Sequence, residues 1–390
     1  MNRELAERIS GGRDCGFVLD APGKAVSASG VAAMLPSGPI ATLDARVAAF
    51  FAAHPSGPRV VVGAVPYDRE AADCLFQPQS LCFDEGIALH PSAPAPVAAW
   101  DVTPEPDVAQ YCAAVDAALT RIGEAGGALS KVVLSRSLRL HAAHRIDPAP
   151  LLAALRLDAS VTVFSTPVSD PRAGAARLIG ATPELLVSRR DGIVASHPLA
   201  GTLPRGGDPV SDRAAGAALL ASIKDRHEHA LVVEAVLDAL APFCDRLTAP
   251  EGPDLRGTAT MWHLGTRIEG ALRDPDTPVA ALLAALHPTP AVCGMPRAAA
   301  DTALRELEGY DRGFYAGAVG WADEAGDGEW YVALRCAEIE GASARLFAGA
   351  GIVAGSEPEA EAMETSAKFL AMLRAFGIDE TGHPLRRSAA

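Results

Sequence analysis

Residues 224–236 read KDRHEHALVVEAV, and DRHEH within them packs two histidines and two acids into five positions. Such a set could hold a metal, and helical geometry decides which kind. Leu219, Leu220, Ile223, Ala230, Leu231, Val233 and Leu237 recur with roughly helical spacing. Zinc would need two histidines one turn apart. His227 and His229 are two residues apart and diverge by roughly 200° around the axis, so one helix cannot aim both at one ion. Asp225 and Glu228, three apart, do share a face. Taken alone, the segment also reads as the solvated charged face of an amphipathic helix.

A second acidic cluster changes the balance. GAGIVAGSEPEAEAMETSAKFL begins as a strand and glycine turn and then starts a helix, with Ser356 as expected N-cap, Pro358 in the first turn and Glu359 three residues after the cap. Glu361 and Glu364 again lie three apart, with Lys368 one turn on. Two helices that each offer a carboxylate pair suit a hydrated, all-oxygen site for Mg2+. The run GAGIVAG does not make a dinucleotide site, because its third glycine is one residue late and no βαβ unit follows.

The elements that must position these groups alternate unevenly. A helical stretch, QYCAAVDAALTRIGEAG, leads into the strand candidate KVVLSRSLRL. TVFSTPV, ARLIGATPELLVSR, GIVASHPLAGT, WYVALRCAEIE and ARLFAGAGIVAG read as further strands, with helices near 212–242, 278–286, 298–308 and 358–376. This pattern predicts an α+β fold with large, mainly antiparallel sheets. The proline-rich HPSAPAPVAAWDVTPEPD reads as a connector after a first ninety residues without a chemical cluster. At 390 residues and 49% apolar content the chain can bury a large core. A net charge of −14 argues against nucleic-acid binding, and any anionic substrate needs a local positive site. VAALLAAL is too short to span a bilayer, MNRELAERIS has no apolar signal core, and the seven scattered cysteines form no CxxC pair; together these point to the cytoplasm and no membrane.

KVVLSR, ATPELL, SHPLAGTLPRG, KDRHEH, MWHLGT, LHPTPAVCGMPR, RGFYAGAVGW, RCAEI and GAGIVAGSEPEAEAMETSAK occur in one order over roughly residues 110–377. In this the chain resembles the chorismate-utilising enzymes, and within them the siderophore-type isochorismate synthases. The resemblance implies an α/β sandwich with its active site between two halves. It implies a catalytic region over 106–378, a less distinctive N-terminal part over 1–105 and a tail over 379–390, all in one structural domain acting as a monomer. It implies chorismate as substrate and Mg2+ as cofactor, held by Glu228 and Glu364, with Asp225 and Glu361 behind them or bound through water. Arg335 would grip the enolpyruvyl carboxylate with its planar fork. Gly201, Thr202 and the amides of Gly349, Ala350 and Gly351 would add neutral donors, Lys368 positive charge, and His263 would position substrate.

By the same resemblance, Lys131 deprotonates the water that attacks C2 of the ring, and Glu184 protonates the departing C4 hydroxyl. That demands a lysine partly neutral and a carboxyl partly protonated near pH 7, and burial pushes both in the needed direction. Without the resemblance, Lys131 reads as a solvated strand-edge charge, Glu184 as a turn residue and His263 as a core histidine. Ammonia-using relatives lack the lysine, so its presence implies water as nucleophile. Ala291, where salicylate synthases tend to carry threonine, implies that the reaction stops at isochorismate. Salicylate formation with loss of pyruvate is the alternative, and a non-catalytic chorismate-binding protein a more distant one.

Overall fold

Runs such as Val60–Val65 and the first eight residues of Lys131–His141 are buried on both faces, which is why they read as continuous rather than alternating apolar stretches. The computed structural model describes residues 16–84, 100–124, 129–170, 172 and 176–385. Seventeen strands form one sheet, and its pairings are antiparallel, as expected from the sequence. From one edge the ribbon runs Cys244–Thr248, Ile268–Leu272, Ile193–His197, Leu185–Arg190, Gly328–Val332, Ala318–Asp323, Val60–Val65 and Cys74–Asp84. It continues through Lys24–Met34, Phe17–Ala21, Thr162–Pro167, Arg177–Thr182, Cys336–Glu340, Ser343–Ile352 and Lys131–His141. A separate sheet of three strands joins Leu199–Pro204, Met261–Gly265 and Asp254–Gly257.

Three stretches that read as single strands are each broken. ARLIGATPELLVSR stops at Thr182 and restarts at Leu185, GIVASHPLAGT is interrupted at Pro198, and WYVALRCAEIE is interrupted between Val332 and Cys336. The first and third breaks have one cause. There the chain leaves one half of the ribbon for the other, and the two crossings lie side by side. Val332 N donates to Glu184 O at 3.1 Å, and Ala181 N to Arg335 O at 3.2 Å. Arg335 turns the corner at φ 45°, a left-handed conformation costly for a residue with a Cβ and kept here by its surroundings.

Helices cover the sheet. Leu43–Ala53 and Val279–Leu286 pack on a core containing Phe50, Leu283 and Trp330. Pro148–Leu155 and Pro358–Phe376 pack on a second around Leu140 and Leu346, and Val108–Gly123 and Arg297–Leu307 on a third. The helix expected over 212–242 is two, Pro209–Ala221 and Ile223–Leu240, divided at Ser222. Ser222 Oγ accepts from Asp225 N at 3.2 Å, capping the second helix. Ser356 is not the cap of Pro358–Phe376; Glu357 holds that position, and Ser356 Oγ instead accepts from Val353 N. Within the expected connector, Asp101–Glu105 forms a strand beside Lys131–His141, while its residues 90–99 lie outside the described residues, as do the N-terminal segment 1–15 and 386–390 of the tail. Among the described residues no helix is long and apolar enough to cross a membrane.

Ser222→Ala removes the cap of the helix that carries Glu228 and should cost about 1 kcal/mol of stability, read as a lower urea midpoint with an unchanged slope.

Candidate active site

The two crossings, the small sheet and the strand Ser343–Ile352 wall a cleft that gathers Glu184, Gly201, Thr202, Glu228, His263, Ala291, Arg335, Gly349, Gly351, Glu364 and Lys368. Lys131 stands behind this wall with no exposed surface, its Nζ 2.9 Å from Glu228 Oε1. The contact is an ion pair without the alignment of a hydrogen bond. Gly351 makes the room: a Cβ there would lie 2.1 Å from Glu228 Oε1 and 3.2 Å from Lys131 Cε. Ala350 is not part of the cleft. Gly349 O accepts from Lys368 Nζ at 2.8 Å, and in a strand the N–H and C=O of one residue point to the same edge. Gly349 and Gly351 therefore present their amides away from Lys131–His141, whereas Ala350, between them, turns its main chain to that strand and its side chain into the core.

Each of the four acids Asp225, Glu228, Glu361 and Glu364 has a protein partner. Lys368 Nζ lies 2.7 Å from Glu364 Oε1, Lys224 Nζ 2.7 Å from Glu361 Oε1, and Asp225 accepts from Ser222 Oγ. Asp225 and Glu361 thus turn to protein groups and do not line the cleft. Burial first, then Glu361 and Glu228 against the opposing pull of Lys368, hold the Glu364 carboxyl above its ordinary value. Burial works to lower the Lys224 pKa, but Glu361, Glu228 and Asp225 outweigh it and raise it. Lys224 is therefore the shared counter-charge of the cluster, a role nothing in its sequence position announced. Among the described residues no three His, Cys, Asp or Glu side chains converge on one point. The cleft carboxylates of Glu228 and Glu364 are hard oxygen donors, the kind that Mg2+ takes while keeping several waters. His227 is exposed, and buried His229 bonds Thr266 Oγ1 at 2.7 Å.

Glu184 is buried in the first crossing, and burial pushes its carboxyl up to about 8, against the pull of the Leu199 amide, Lys131 and Lys368. Arg335, in the second crossing, is buried with no carboxylate partner among the described residues. Burial lowers it to about 10, which leaves it charged at neutral pH. Its Nη1 donates to Thr258 Oγ1 at 3.0 Å and its Nη2 to His263 Nε2. A guanidinium only donates, so His263 Nε2 must accept and its proton sits on Nδ1. Nδ1 then donates to Thr202 Oγ1 at 3.0 Å, leaving the Thr202 hydroxyl proton free for the cleft. Burial, then Arg335 and Lys368, hold the His263 pKa well below its ordinary value, so the ring stays neutral in this role.

Residues 83–377 match the family described as chorismate binding enzyme. The chain belongs to the chorismate-binding enzymes. Isochorismate synthase DhbC of Bacillus subtilis is 46% identical over 375 residues, covering 93% of this chain and 94% of that relative. Isochorismate synthase EntC of Escherichia coli K12 is 39% identical, covering 82% and 81%. The crystal structure of DhbC from Bacillus anthracis matches with a TM-score of 0.88 at 39% identity, covering 96% of this chain and all of that one.

For a chorismate-binding enzyme the Glu184 carboxyl makes stability depend on pH. An unfolded glutamate titrates near ~4.3, so above that pH the folded protein holds a proton the unfolded chain has lost, and stability falls until pH passes about 8. Glu184→Gln should therefore melt at a higher temperature than the parent at pH 8–9, with the gap closing toward pH 4. Equal melting temperatures across that range would contradict a buried, protonated Glu184.

Proposed function

We propose that the protein is an isochorismate synthase, converting chorismate to isochorismate in siderophore biosynthesis. The observation that carries the reading is the buried carboxyl of Glu184, which burial pushes up to about 8, in one cleft with Arg335, a cation with no carboxylate partner among the described residues. The substrate is a dianion. Arg335 takes the enolpyruvyl carboxylate, and the Thr202 hydroxyl and the Gly349 and Gly351 amides supply neutral donors. Lys131 acts as the neutral amine, having given up the proton it holds in the resting pair with Glu228, and takes a proton from water as the water oxygen bonds to C2. The two ring double bonds shift, and the C4 hydroxyl leaves as water with the proton from Glu184. One water enters and one leaves, so the reaction is an isomerisation.

Glu228 and Glu364 are the residues we assign to Mg2+, which supplies charge to fix the ring carboxylate. Charge balance supports this. In the resting site Lys131, Lys368 and Lys224 are paired with Glu228, Glu364 and Glu361, so Arg335 alone is left to answer one charge of a dianion, and the second requires a further cation. Ala291 brings no hydroxyl to the wall, which supports stopping at isochorismate rather than eliminating pyruvate. The continuous ribbon supports reading 1–105 and 106–378 as one body, and the free thiols of the described cysteines fit a reducing cytoplasm.

Purified protein with chorismate and Mg2+ should give isochorismate as the dominant product by chromatography; salicylate with pyruvate would overturn the assignment. Lys131→Ala should lose turnover by roughly 1,000-fold, within the range general bases contribute, while still binding chorismate in calorimetry. Glu228→Gln should lower kcat and raise the Mg2+ concentration needed for half-maximal rate.

A further inference from the structure

The strand Lys131–His141 has an uncovered stretch on its outer edge. Gly294–Met295 covers Lys131 and Val132, and Asp101–Glu105 covers Ser137–His141. Between them no described strand runs alongside, and only Cys293 O reaches in, accepting from Val133 N at 2.9 Å. A side-chain ion pair fills the rest. Arg312 Nη2 donates to Val133 O at 2.6 Å, and Glu308 Oε1 accepts from the Ser135 amide and the Ser135 hydroxyl, each at 2.7 Å. The pair is locked together, Arg312 Nε to Glu308 Oε2 at 2.8 Å and Nη2 to Oε1 at 2.5 Å, with both residues buried. Arg312 Nη1 also donates to Val292 O at 2.7 Å, beside Ala291 in the cleft wall, and its guanidinium lies 4.5 Å over the Tyr67 ring.

Burying two charges is an expensive way to finish a sheet edge, since apolar residues of similar volume are often at least as stable. What the pair provides is directed hydrogen bonds to main-chain groups two and four residues beyond Lys131, and to the loop carrying Ala291. We propose that Glu308 and Arg312 are positioning residues that act as a surrogate strand, setting the depth of Lys131 behind the cleft wall and holding the Ala291–Val292 segment against it. The inference rests on Lys131 serving as the base.

The test is Glu308→Leu combined with Arg312→Met, which removes both charges together and leaves no lone buried charge. With folding checked by circular dichroism and thermal melting, kcat should fall about 100-fold, the scale of an ångström misplacement, with the chorismate KM within about threefold. A folded double variant with near-parental kcat, or with its loss confined to KM, overturns the proposal. If it does not fold, Glu308→Asp, which keeps both charges and withdraws the carboxylate by one methylene, is read in the same way. Lys131→Ala run alongside separates the two readings. An inactive Lys131→Ala beside a fully active pair variant sinks the positioning role alone, whereas an active Lys131→Ala sinks both.

Discussion

Lys131 has no exposed surface, and its ammonium lies 2.9 Å from Glu228. A buried charge of this kind persists only beside an opposite one, and leaving either partner alone would cost several kcal/mol, about 3–5 for a broken buried pair. That requirement ties together elements far apart in the chain. Lys131 comes from the strand Lys131–His141, Glu228 from the helix Ile223–Leu240, and the space between them exists because Gly351 has no side chain. The cap at Ser222 then fixes where the helix starts, and so how far Glu228 reaches. The cleft is thus assembled around a compensated charge rather than around an apolar pocket.

The same logic reconciles a chain of net charge −14 with an anionic substrate. The global field is repulsive, but surface charges are screened within about 10 Å at moderate ionic strength. Inside the cleft, the charges that matter are the local lysines, Arg335 and the acids they balance. Glu184 adds none while its proton is held, and the neutral His263 passes polarity from Arg335 to Thr202 without adding charge of its own.

Features set by local pattern were legible in the sequence. The helices Val279–Leu286, Arg297–Leu307 and Pro358–Phe376 follow from apolar spacing, and the pairing of acids three apart marked out both acidic helices. The strand breaks at Glu184 and Arg335 were not legible, because they arise where two distant parts of the ribbon meet. Pro183 was a local hint of the first, but nothing adjacent to Arg335 signals a left-handed turn. Ala350 was misplaced and Lys224 went unremarked for a similar reason: the first is defined by which edge of its strand faces a partner, the second by charges that include Glu361 on another helix. Glu308 and Arg312, four apart, look like an ordinary solvated pair, and only the packed structure reveals that they are buried.

The crossings at Glu184 and Arg335 serve as joints of the fold and also bring both side chains into the cleft wall. A substitution at either residue therefore alters the passage of the chain and the cleft wall at once. Ala291 lines the same cleft but belongs to neither crossing, so a side chain there can change without disturbing the passage of the chain between the two halves of the ribbon. The geometry separates a rigid inheritance from an adjustable one within a single cleft.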